Sequence, residues 1–218
     1  MIKASTFAFL RELSANNNKE WFDAHRDVYA AEKERFEAFI SHIMQLMVPL
    51  EPMLEGQHAK DAIFRIFRDV RFGKDKTPYK NHFSAYISRG GRKWEGAGYY
   101  LQVQPGASFI AAGIWQPPPA LLKAVRQEID YDLEGFRQII QQPAFKKAYP
   151  KLEGESLQKL PAGYTVDNPA AAFLKMKSFM ASHALTDKEL IAADSGEKLL
   201  QNMKIIKPLV DFLNRAMD

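Results

Sequence analysis

The residues best suited to chemistry lie in one run, from Arg65 to Lys80, the densest mixture of arginine, lysine and carboxylate in the chain. Arginine offers a planar fork of donors matched to carboxylates and phosphates, and interleaved aspartates can hold such forks in position before a ligand arrives. Strand alternation puts Val70 and Phe72 inward and Asp69, Arg71 and Arg65 on the opposite face. Two readings use the same side chains. In one, Arg65, Arg68, Arg71, Asp69 and Asp75 form a salt-bridge network that pins a long loop to a sheet, with Phe72 and Tyr79 as core anchors. In the other, Arg68, Arg71, Lys76 and Lys80 hold a phosphate or carboxylate, while Asp69 and Asp75 orient them or accept hydrogen bonds from the ligand. A third use, Asp69 or Asp75 as general base, ranks last, because it needs a raised proton affinity and the surrounding cations lower it.

Charge is concentrated in the same place. Of 30 Lys+Arg and 26 Asp+Glu in the chain, positions 60–95 carry 10 and 4, leaving 20 and 22 elsewhere, so the net +4 originates in that segment. An anionic partner is expected to meet the chain there. The strands that follow add a second feature: one alternating face combines His82, Ser84, Tyr86 and Ser88 with Tyr100, Gln102 and Gln104, and the other carries Phe83, Ala85 and Ile87 with Tyr99, Leu101 and Val103. A polar face with aromatic rings beside a basic loop suits a sugar, a nucleotide or single-stranded nucleic acid. An ordinary solvent-facing side of a sheet explains it as well. We favour the solvent-facing reading for Ser84 and Ser88 and ligand contact for Tyr86 and Tyr100.

Several classes of function are disfavoured. The chain has no cysteine, which removes disulfides, thiolate nucleophiles and cysteine metal sites. The five histidines, at positions 25, 42, 58, 82 and 183, show no metal-ligand spacing, so no metal site is expected. No glycine-rich phosphate loop and no Gly-x-Ser-x-Gly occurs, and no pattern indicates a cofactor. With neither a signal peptide nor a membrane-length apolar run, the protein is expected to be cytoplasmic, without membrane contact.

The elements that position these residues follow from periodicity and punctuation. Ser5 or Thr6 can cap a helix from Phe7 to Ala15, and Asn18 can cap a longer one from Lys19 to Met47. After Gly56 the period changes to two: strands are expected over Ala62–Arg68, His82–Arg89, Gly98–Gln104 and Phe109–Gln116. Helices resume at Ala120 behind three prolines and again behind Asp130 or Asp132, with a short one over Pro143–Tyr149. A surface loop spans Pro150–Asn168, a short helix Pro169–Met176, and a fifth strand Ser178–His183. Thr186 or Asp187 caps a C-terminal helical region that Pro208 should kink or divide. The expectation is an α+β fold in one domain over 1–218: a helical part over 1–55, an antiparallel sheet of four or five strands over 60–116, and a mostly helical part over 118–218.

Several of these stretches resemble one family. Asn17-Asn-x-x-Trp21-Phe22, the run Arg65-x-x-Arg68-Asp69-x-Arg71-Phe72-x-x-Asp75-Lys76-x-Pro78-Tyr79-Lys80, the pair Tyr99-Tyr100 and the element Gly113-x-Trp115-x-Pro117 are similar to the domain of unknown function 2461 family, a mainly bacterial group. Leu160-Pro-x-Gly163-Tyr164 and Leu174-x-x-Lys177-Ser178-Phe179 extend the similarity along nearly the whole chain. The resemblance implies no activity, cofactor or catalytic residue. One departure is Ala111-Ala112 before Gly113, where many relatives carry a glycine-rich stretch. From the residues themselves, the function expected is binding of a phosphorylated or otherwise anionic small molecule, a nucleotide or sugar phosphate for example. The alternative is a nucleic-acid or protein interaction module that uses the same basic surface without catalysis.

Overall fold

Three helices fill the N-terminal part of the computed structural model, which describes residues 1–71 and 73–217. They are α1 (Ala4–Ala15), α2 (Lys19–Ala24) and α3 (Arg26–Met47). Asn18 caps α2 as expected, its side-chain oxygen accepting from Trp21 N at 2.9 Å. The first helix starts earlier than a Ser5 or Thr6 cap predicts. Thr6 lies inside its first turn, and its hydroxyl donates to the buried Glu32 of α3 at 2.6 Å, tying the two helices together.

The continuous helix expected over 19–47 is interrupted at His25 (φ −118°, ψ 25°). The cause is local competition: His25 Nδ1 lies 2.7 Å from Trp21 O, the carbonyl that the helix would offer to the His25 backbone. That backbone N–H turns instead to Phe22 O at 3.2 Å. Beyond the break, α3 buries Phe36, Phe39, Ile40, Ile43 and Met47 along one side.

A short helix, α4 (Ala59–Ala62), takes the start of the strand expected over Ala62–Arg68. The rest of that segment is extended but only bridged, antiparallel, at Ile63 to Ala85 and at Phe67 to Tyr79. The ladder stops there because its next partner, Pro78, has no N–H to give. The sheet proper has four antiparallel strands in the order β1 (Phe83–Ile87), β2 (Gly98–Val103), β3 (Ser108–Ile114), β4 (Phe179–Leu185). The α+β expectation therefore holds, with the strand expected over 178–183 starting one residue later and ending two later, as β4.

Between β3 and β4 come α5 (Pro119–Tyr131), α6 (Leu133–Gln141), α7 (Pro143–Ala148) and α8 (Ala171–Leu174), the last shorter than expected. Asp132 caps α6 by accepting from Gly135 N at 3.0 Å. After β4, Thr186 caps α9 (Asp187–Ile191), and α10 (Ser195–Asn214) closes the fold. Pro208 does not divide α10. Ile206, Leu209, Val210, Phe212 and Leu213 are all buried around it, so packing on both sides of the proline outweighs one missing hydrogen bond. Among the described residues no helix is long and apolar enough to cross a membrane.

The fold divides into two compact units, one made of Met1–Arg92, Tyr100–Ile110 and Ala184–Leu200, the other of Lys93–Tyr99, Ala111–His183 and Gln201–Asp218. The first has an aromatic core in which Phe36 stacks on Phe83 at 5.4 Å and Phe9 on Phe83 at 6.3 Å. The second is built around Phe136, whose ring meets Phe173 at 5.0 Å and Phe212 at 5.2 Å.

Candidate functional site

All ten residues singled out from the sequence belong to the first unit. Their anchor is Tyr79, 5% exposed and stacked on Phe22 at 4.0 Å. Asn17 clamps its backbone: the side-chain oxygen accepts from Tyr79 N at 3.1 Å and the amide donates to Tyr79 O at 2.9 Å. The Phe67–Tyr79 bridge leaves these two backbone groups pointing away from Phe67, and Asn17 takes the place of a further strand. Asn17 was not a candidate by residue chemistry, although it opens the first of the stretches that carry the resemblance. Of the two core anchors expected, Tyr79 is one, and Phe72 lies outside the described residues.

From this base the segment 68–78 loops outward, and most of its charges are paired with one another. Arg68 donates to both the Asp75 carboxylate and the Thr77 hydroxyl. Arg71 makes a two-pronged contact with Asp69, at 2.9 and 2.7 Å, so these two side chains share a face as expected. Lys76 donates to Val70 O at 2.9 Å. Val70 itself is only half-buried. The Thr77 N–H and the Arg68 guanidinium hold the Asp75 carboxyl well below the usual carboxylate range, at about 2. Arg71 likewise lowers Asp69. Both aspartates thus hold a proton too weakly to serve well as a general base at neutral pH.

Lys80 stands apart from this network. It is half-buried, its ammonium donates to Arg65 O at 3.0 Å and lies 5.4 Å from the centre of the Phe64 ring. The Arg92 guanidinium lies 5.7 Å from the same ring and donates to Ile63 O. Burial, then the charges of Arg65 and Arg92, push the Lys80 ammonium below its ordinary value. Burial and the charge of Lys80 depress His82 to about 4. The charges acting on this pair are cationic, which sets it apart from the compensated loop.

The sheet face beside Lys80 combines rings with a chain of side-chain amides. Tyr100 lies 6.2 Å from Phe64 and 5.6 Å from Phe109, and its hydroxyl donates to Gln102 at 3.0 Å. Gln102 passes the chain to Gln104 at 2.7 Å. Burial raises the phenols of Tyr86 and Tyr100 above their ordinary value, so both stay protonated and able to donate. Ser84 and Ser88 do not face solvent as expected: they are 2% and 3% exposed. Phe64 N donates to Ser84 O at 2.9 Å, which places the extended 63–67 segment along that edge, and Ser88 closes the turn after β1 by donating to Gly91 O at 2.7 Å.

Arg92 and Phe64 were not singled out from the sequence. The signal for Arg92 was its place in the segment of positive excess; for Phe64 it was alternation with Ile63. Among the described residues no group of three or more His, Asp or Glu is arranged to hold a metal ion.

Residues 5–212 match the family described as Conserved hypothetical protein (DUF2461), so the chain belongs to that family over nearly its whole length. No curated protein and no solved structure matches it.

Proposed function

We propose that this member of the family binds a small phosphorylated or otherwise anionic molecule, of the nucleotide or sugar-phosphate kind, against Lys80 and Arg92 on the sheet side of the basic segment. The observation that carries the reading is a pair of cations over one ring: the Lys80 ammonium lies 5.4 Å and the Arg92 guanidinium 5.7 Å from the centre of Phe64, like charges gathered at one place. An anion placed there relieves that repulsion and supplies the counter-charge. Phe64 and Tyr100 offer ring surface to the organic part of the ligand, and the Tyr100–Gln102–Gln104 chain offers donors and acceptors beside it.

The test is a thermal-shift series with inorganic phosphate, nucleotides, sugar phosphates and short oligonucleotides, since a ligand of the folded state alone raises Tm. One class of small anion should raise Tm, Lys80→Met should remove the rise, and Arg71→Ala should leave most of it. His82, followed by NMR, should titrate near 4 in the free protein and higher once the anion is bound. Binding should weaken as pH rises through the lowered Lys80 value. No shift with any compound, or a shift untouched by Lys80→Met, defeats the proposal. A shift shared by all polyanions and erased by salt favours the alternative, a nucleic-acid interaction module.

A further inference from the structure

In the second unit an open groove of about 490 Å³ lies between the end of α6, α7, α8 and the chain over 150–156. Its floor is apolar, with Phe145, Tyr149 and Met176 all buried, and half-buried Ile140, Leu152 and Phe173 form its sides. The Tyr149 hydroxyl already donates to Asn202 O at 3.0 Å. That leaves Ser156 as the one uncharged polar side chain open to a ligand among the described residues that line the groove.

The outer wall is built into the fold. Residues 153–157 run antiparallel to 175–180, bridged at Glu153 to Met180 and at Ser156 to Met176. Leu157 N donates to Lys175 O and Lys177 N to Glu155 O, both at 2.8 Å. Gly154 permits this approach: its φ is +148°, and a Cβ there would come within 2.6 Å of Ser178 O. The start of the stretch expected as a surface loop is therefore fixed against the chain leading into β4.

Two lysines join this apolar lining, Lys146 on α7 and Lys151 on the wall. Both are exposed, and among the described residues neither ammonium has a hydrogen bond or an ion pair. The carboxylates of the wall are engaged elsewhere: Glu155 accepts from Lys177 at 2.9 Å and Glu153 from Ser182 at 2.6 Å. The groove thus offers positive charge without its counter-charge, over rings and hydrocarbon that give a sugar or a peptide backbone little to hydrogen-bond.

We propose that this groove binds an amphipathic carboxylate, an acyl chain of medium length, with its head at Lys146 and Lys151 and its chain along Phe145, Phe173 and Met176. The volume falls within the roughly 300–1,000 Å³ of small-ligand sites, which combine an apolar lining with a few polar groups that fix orientation. The covered chain supplies most of the affinity. The lysines, which stay hydrated at the rim, supply direction and the preference for an anion.

The experiment titrates decanoate, below its micellar concentration, into the full chain carrying isotope-labelled methionine methyls, and follows the Met176 methyl by NMR after assignment through Met176→Leu. That resonance should shift saturably. The double variant Lys146→Gln, Lys151→Gln, altered only at exposed positions, should weaken decanoate by roughly three- to tenfold and leave decanol binding unchanged. Ala172→Trp, at an exposed lining position, should fill the groove and remove the shift while the protein stays folded. A Met176 methyl unmoved by decanoate overturns the proposal. So does a shift that acetate reproduces, that survives Ala172→Trp, or that ignores the two lysines. A shift produced by raising the protein concentration alone assigns the groove to a second copy of the chain and overturns it too. Lys80→Met should leave the titration as it was, so this site and the one on the sheet face stand or fall separately; loss of the shift in that variant would place the carboxylate at Lys80 and overturn the proposal.

Discussion

The loop between Arg68 and Pro78 is crowded with charge, yet its attachment rests on a neutral side chain. Exposed ion pairs such as Arg71–Asp69 contribute little, because water and salt screen them. Asn17 makes two hydrogen bonds to the backbone of the buried Tyr79, and removing it strands one donor and one acceptor at a site already packed by Phe22. Asn17→Ala is therefore expected to cost about 1–3 kcal/mol in urea unfolding, from the unmet N–H and C=O alone. It should also speed tryptic cleavage at Arg71, Lys74 and Lys76. Arg71→Ala should change stability within about 0.5 kcal/mol, as surface substitutions do. If the two variants melt alike, the loop is held by its ion pairs after all.

At the scale of elements, the decisive glycine is Gly113 in β3. Its φ is +127°, and a Cβ there would come within 2.0 Å of Phe179 O on β4. The sequence departs from a glycine-rich pattern just before this residue, and ligand approach is one reading of such a pattern. The structure supplies another: what approaches the glycine is the neighbouring strand's carbonyl. Gly113→Ala should lose several kcal/mol or fail to accumulate as folded protein. Gly106→Ala, at φ +68° with open space around it, should cost only about 1 kcal/mol by thermal melting. Elements whose signals are local were legible in the sequence: the Asn18 and Asp132 caps, the stripe of α3, and β1 to β4 to within two residues or so. What was not legible depends on competition for single groups or on distant packing. The break at His25 follows from a ring that takes one carbonyl, and the passage of α10 through Pro208 from apolar residues that pack on both sides of it. The site divides the same way. The basic segment could be read from composition, but separating the paired Arg68 and Arg71 from the cations gathered at Lys80 needed coordinates.

For the whole molecule, the two compact units are not consecutive stretches of chain. β2, β3, β4 and α10 each contribute residues to both, so no single cut separates one unit from the other. A strand cannot keep its ladder while half of it unfolds, and a helix such as α10 propagates order along its length. Unfolding should accordingly be one transition, as the single domain expected over 1–218 also implies. In scanning calorimetry the calorimetric and van't Hoff enthalpies should agree, at about 150 kcal/mol near 60 °C by the usual per-residue value. A ligand at Lys80 in the first unit should then raise the melting temperature of the whole chain, because it is linked to the same equilibrium. Two resolved transitions, only one of them moved by the ligand, would show instead that the units unfold independently.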